Sequence, residues 1–180
     1  MSPKAVLSTV LASIPSSATT RTTSTTTTTT TRSGGATSTT AARRRIPESP
    51  PATATASRLL HTADAYVGTR YVWGGSAPRE GFDCSGFTKF VFAKHGIVLP
   101  RTSREQAHAG TGIPADFRAL RPGDLMLFAE PGQAISHVAI YAGDGVIIHS
   151  SSSVGGVGYT DLSTGGEWFV DYFVAARRVF

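Results

Sequence analysis

The chain holds one cysteine, Cys84, in the run Asp83-Cys84-Ser85-Gly86, and two histidines, His137 and His149, in apolar runs downstream. A lone cysteine makes no internal disulfide. It is either a small buried hydrophobe or a reactive thiol, and its surroundings decide which. A thiolate nucleophile needs a base that takes its proton and later returns it to the leaving group. It also needs a group that orients the base, and donors for the oxyanion. Two imidazoles supply a base and an orienter, in an order that the residues alone leave open. One cysteine and two histidines also suit a three-ligand zinc site, but no CxxC or HExxH spacing occurs, so neither metal nor cofactor is expected. His61, His95 and His108 read as ordinary surface or core residues.

The elements that must position these groups follow from periodicity. Phe87, Phe90, Val91 and Ile97 recur at helical spacing and predict a helix from Cys84 to near Gly96. Cys84 then lies in the first turn, where unpaired N–H groups and the helix dipole favour a thiolate and lower the thiol pKa. Leu59, Leu60, Ala63, Tyr66 and Val67 predict an earlier helix, capped by Ser57 and closed by Gly68. Tyr71-Val72-Trp73 is a short extended segment broken by Gly74 and Gly75, with Trp73 expected in the core. A short helix is predicted over residues 103–109, capped by Thr102 or Ser103.

The second half is strand-like. Strands are predicted over residues 125–128, 138–141, 146–149 and 173–179, with Asp144-Gly145 as a two-residue hairpin turn. An unbroken register through that turn pairs Gly143 with Val146 and sets His149 opposite Ile140. The histidines are then about three positions apart along the ladder, or about 10 Å between backbones. Helices followed by an antiparallel meander make an α+β pattern.

Of the 17 basic residues and 12 acids, six basic residues and one acid fall within residues 1–57, so residues 58–180 balance to zero. The net charge of +5 therefore belongs to the N-terminal segment. A neutral domain offers no basic face for nucleic acid. Residues 19–57 are dominated by Thr and Ser and then by Pro47, Pro50 and Pro51, and read as a disordered tail or linker. Residues 1–18 carry Lys4, a modest apolar run interrupted by Ser8, Thr9 and Ser13, then small residues: a candidate signal peptide. No stretch reaches the roughly 20 apolar residues of a membrane span. The expected organisation is a tail over 1–57 and one domain over 58–180.

Six segments in order resemble the NlpC/P60 family of cysteine peptidases. They are Gly68 to Gly75, Gly81 to Phe87, Leu99 to Ser103 with Gln106, Arg121 to Leu125, His137 to Gly143, and Ile148 to Ser150. The resemblance implies a papain-like α+β fold, N-terminal helices packed on a central antiparallel sheet. It implies Cys84 as nucleophile, His137 as base and then acid, and His149 as the residue orienting His137. Tyr71, Asp83 and Ser85 inherit substrate-binding positions. The implied substrate is the stem peptide of peptidoglycan, cut between D-γ-glutamate and diaminopimelate (or lysine) by a secreted or envelope enzyme acting as a monomer. Two alternatives stand beside this. One is an amidase or acyltransferase using the same three residues on another amide or ester. The other is an inactive wall-binding module. No SH3-like or LysM segment is recognisable ahead of residue 58, and Ser151 to Gly158 reads as a Ser/Gly-rich loop rimming the site. Gly86 would let substrate backbone come close to the thiol.

Overall fold

A computed structural model describes residues 52–180. The candidate signal peptide and most of the predicted tail lie outside the described residues. The first helix, α1, runs Ala52–Asp64 and buries Ala56, Leu59 and Ala63. It begins well before the predicted Ser57 cap. Ala52, Ala54 and Ala56 are strong helix formers, and Ala56 is buried, so packing extends the helix into what composition assigns to the tail. Gly68 follows with φ +85°, a left-handed position suited to glycine.

A small hairpin, β1 (Ser76–Ala77) and β2 (Gly81–Phe82), leads into α2 (Cys84–Ala93). Helix α2 forms where predicted because Asp83 caps it: its carboxylate accepts from the Gly86 N–H at 2.6 Å. Phe87, Val91 and Phe92 are fully buried on its inner face. Helix α3 is a single turn, Ser103–Gln106, shorter than predicted, with Thr102 and Glu105 forming a reciprocal capping box.

Six antiparallel strands form the main sheet in the order β3-β8-β4-β5-β6-β7. Their ranges are β3 (Thr111–Ile113), β4 (Leu125–Phe128), β5 (His137–Gly143), β6 (Val146–Ser151), β7 (Gly156–Asp161) and β8 (Phe173–Arg178). Strands β3 and β7 were not expected from the sequence. The predicted rim loop over 151–158 is mostly the β6–β7 hairpin, with Val157 buried. A short helix, α4 (Glu167–Asp171), also unforeseen, precedes β8.

Along β4, β5 and β6 the apolar side chains alternate between two layers. Leu125, Leu127, Val138, Ile140 and Ile148 face α1 and α2 in one core. Met126, Phe128, Ala139, Tyr141 and Ile147 form a second core with Phe169 of α4. Among the described residues no helix is long and apolar enough to cross a membrane.

The β5–β6 hairpin decides the site. Its turn is the predicted one, with φ +51° at Asp144 and +75° at Gly145. The register beyond it differs from the prediction. Gly143 pairs with Val146, but Tyr141 pairs with Ile147 and Ile140 with Ile148, so Ala142 is an extra residue in a β-bulge. Continuing this register sets His149 opposite Ala139, two positions from His137. A separation of two keeps both side chains on one face, whereas the unbroken register would have sent them to opposite faces.

Candidate active site

The structure brings the two histidines into contact. His137 Nε2 and His149 Nδ1 are 2.9 Å apart, with ring planes at 89°. His149 Nε2 lies 2.9 Å from Thr160 Oγ1 on β7. His149 pairs across the ladder with Gly158, so its ring reaches diagonally to Thr160 without a facing side chain. With Nδ1 of His137 unprotonated, the bonds order themselves as a relay. Nε2–H of His137 donates to His149, and Nε2–H of His149 donates to Thr160. Nδ1 is then the ring nitrogen of His137 left to accept a proton.

Helix α4 covers this pair. Phe169 stands edge-on to His149 at 4.9 Å, and Phe128 and Trp168 flank His137. Burial pushes His137 down to about 3, with the charge of His149 acting in the same direction. It pushes His149 down to about 4. Both rings are therefore neutral at physiological pH.

Cys84 approaches from the other layer, at the first position of α2 and packed within the α1–α2 core. Burial pushes its thiol up from the ordinary value, and Asp83 adds to that. Backbone hydrogen bonds from Val138, Ser85 and Cys84 itself pull the other way. This corrects the predicted lowering: desolvation outweighs the field of the helix N-terminus. The Val138 amide belongs to the residue that follows His137, so the sulfur lies against the backbone at the start of β5. At rest the thiol and both imidazoles are uncharged.

Asp83 and Ser85 serve the helix as well as the cleft. The Arg101 guanidinium donates to Asp83 Oδ2 at 2.7 Å and Oδ1 at 3.0 Å, and to Ser85 Oγ at 3.0 Å. Gly74 N–H donates to Asp83 as well. Burial alone would raise the Asp83 carboxyl, but Arg101 and the two backbone donors hold it below the usual range. Arg101 thus clamps the cap of the nucleophile helix to the Gly74-Gly75 turn, a role that its place in the Leu-Pro-Arg-Thr-Ser run did not disclose. Tyr71 lies near enough for Cys84 and Asp83 to raise its phenol, after burial as the larger cause. Gly86 has a different use from the expected one. A Cβ there would run into the Gly75 carbonyl, so it admits the protein's own backbone rather than substrate.

One prediction about an aromatic is corrected. Trp73 is 87% exposed at the mouth of the Cys84 cleft, not in the core. The glycines after it hold the loop outward, against the cap of α2. Trp168 and Phe169, which wall the histidine side, went unnoticed because a helix of five residues leaves no readable period. Thr160 was missed for want of a predicted β7. Among the described residues no group of three or more His, Cys, Asp and Glu side chains is arranged to hold a metal ion.

Comparison with known proteins adds to this geometry. The sequence model of the NlpC/P60 family matches residues 68–178. The bifunctional muramidase/DL-endopeptidase CwlT of Bacillus subtilis is 44% identical over 123 residues, covering 67% of this chain and 36% of that protein. A gamma-D-glutamyl-L-lysine dipeptidyl-peptidase of Bacillus cereus is 38% identical over 128 residues, covering 70% of this chain and 37% of that protein. The crystal structure of an NlpC/P60 family protein from Bacillus cereus superimposes with a TM-score of 0.62 at 38% identity, covering 68% of this chain and 39% of that one. The chain thus spans little more than a third of the length of these relatives.

Proposed function

Because the chain belongs to the NlpC/P60 family, we propose that it is a cysteine-type endopeptidase acting on peptidoglycan stem peptides, at the bond between γ-D-glutamate and a diamino acid. The observation that carries this reading is the His137–His149–Thr160 relay, held on one face of the sheet, with the thiol at the α2 N-terminus hydrogen-bonded to the backbone of the residue after His137. The relatives named as a DL-endopeptidase and a gamma-D-glutamyl-L-lysine peptidase supply the substrate class.

Substrate binding aligns the scissile carbonyl with Cys84. The thiol proton passes to Nδ1 of His137 as sulfur bonds to the carbonyl carbon. First-turn amides of α2 receive the oxyanion. Collapse breaks the C–N bond, and His137 gives its proton to the departing amine. Water then attacks the thioester, yields its proton to His137, and the thiol returns. His149 holds the tautomer and takes up part of the transient imidazolium charge. Tyr71, Asp83 and Ser85 border the acyl side.

The domain from α1 onward would carry the catalysis, with the basic Ser/Thr-rich residues ahead of it as a tail. The work would be done outside the cell or in the envelope, by a monomer. Mass spectrometry of peptidoglycan digested by the full chain and by Cys84→Ala tests the reading. Fragments ending in D-glutamate with the first protein and none with the second are expected. Release of such fragments by Cys84→Ala would remove Cys84 from its role.

A further inference from the structure

Two clefts flank the site, and their chemistry differs. One is lined by Cys84 with Trp73, Asp83, Arg101, Arg104 and Glu105. The other, about 470 Å³, is lined by His137 with Ser136, Ser151, Ser153, Trp168 and Phe169. Ser136 borders both. The order of bond making assigns the two halves of the substrate. The acyl group becomes bonded to Cys84, so it lies in the Cys84 cleft. The departing amine takes its proton from His137, so the residue carrying it lies in the His137 cleft.

The charges fall on the acyl side alone. Arg101 is committed to Asp83, and Glu105 to the Thr102 cap. Arg104 holds the Ile135 carbonyl through Nε, and among the described residues its terminal nitrogens meet no hydrogen-bond or ion-pair partner. On the amine side the lining offers three serines and the Trp168 ring, and its one ionisable group is His137, which is kept neutral.

We propose that the His137 cleft selects a diamino acid whose side chain ends without a free carboxylate, as in lysine or an amidated diaminopimelate, over one that ends in a free carboxylate. The inference rests on the endopeptidase reading given above. A lysine-type chain lays its methylenes against Trp168 and presents its ammonium to the ring face and to serine oxygens, which accept. A free carboxylate finds hydroxyl donors but no cation, and gives up hydration without a compensating charge.

The test is kcat/KM of the full chain on three tripeptides: L-Ala-γ-D-Glu with L-lysine, with diaminopimelate amidated at its side-chain carboxyl, and with the free diacid. Lysine and the amide should be cleaved at similar efficiency, each on the order of tenfold better than the free diacid. In Ser153→Arg, which adds a cation at the rim, the ratio should move toward the free diacid. Equal or better cleavage of the free diacid by the unaltered protein would overturn the selection and leave the endopeptidase reading standing. An unmoved ratio in Ser153→Arg would overturn the placement of the amine half. Cleavage of none of the three would remove the endopeptidase reading, and the inference with it.

Discussion

Acidification from about pH 7.5 to about pH 5 probes the His137–His149 pair. In an unfolded chain both imidazoles titrate near 6.5. In the folded protein burial holds His137 down to about 3 and His149 down to about 4. Between those limits the unfolded chain binds protons that the folded chain refuses. Stability is therefore full above about pH 7 and is lost as pH falls through 6.5 and below. At pH 5 each histidine sits about 1.5 units under its unfolded pKa. That is about 2 kcal/mol each and about 4 kcal/mol for the pair. A typical domain has about 5–15 kcal/mol in total. The loss levels off near pH 4 for His149 and near pH 3 for His137, where the folded forms also protonate. His95, lowered by burial and by Arg58, adds a smaller term of the same sign. Asp83, lowered in the folded state, acts only below the ordinary carboxylate range. Urea titrations followed by tryptophan fluorescence at several pH values measure the slope. A double variant, His137→Gln with His149→Asn, should keep the shape and lose most of the pH dependence. Equal stability of the unaltered protein at both pH values, or an unchanged slope in the double variant, would refute the reasoning.

Three further outcomes follow from the same geometry. Iodoacetamide should alkylate Cys84 more slowly at neutral pH than a free cysteine, with the rate still rising into the alkaline range, because burial raises the thiol; a plateau reached below about pH 6 would point to a thiolate–imidazolium pair instead. Gly86→Ala should destabilise the domain by about 1–3 kcal/mol in chemical denaturation, since its Cβ meets the Gly75 carbonyl and one of the two backbones must move. Thr160→Val should lower kcat more than it changes KM and cost about 1–3 kcal/mol, by leaving the His149 N–H buried without an acceptor. Thr160→Ser should restore both, and indifference to either change would take Thr160 out of the relay.

What could be read in advance was local. Cys84 at the head of α2 and the Asp144-Gly145 turn are set by neighbours within a few residues. Cys84, His137, His149, Tyr71, Asp83 and Ser85 were all named from the sequence; the fold sets His137 against His149, and Asp83 and Ser85 in the Cys84 cleft with Tyr71 near them. What escaped prediction depends on partners distant in the chain. Thr160 matters only because β7 lies beside β6. The Arg101 clamp depends on Asp83, 18 residues earlier in the chain. Trp73 was assigned to the core on size, but the backbone around Gly74 and Gly75 turns it outward. The thiol pKa was misjudged because a helix terminus is visible in a sequence and burial is not.

The extra residue in β5 carries a lesson about spacing. His137 and His149 are 12 residues apart. In a plain hairpin with a two-residue turn, side chains share a face only when their separation is odd. An even count works here because Ala142 absorbs one residue. Parity, rather than distance along the chain, is thus the quantity that folding has to preserve. A relative whose histidines are 11 or 13 positions apart, with a regular hairpin, could present the same pair of rings. One with 12 and no bulge would keep both histidines and lose their contact. Comparing such chains by motif alone would rank them in the wrong order.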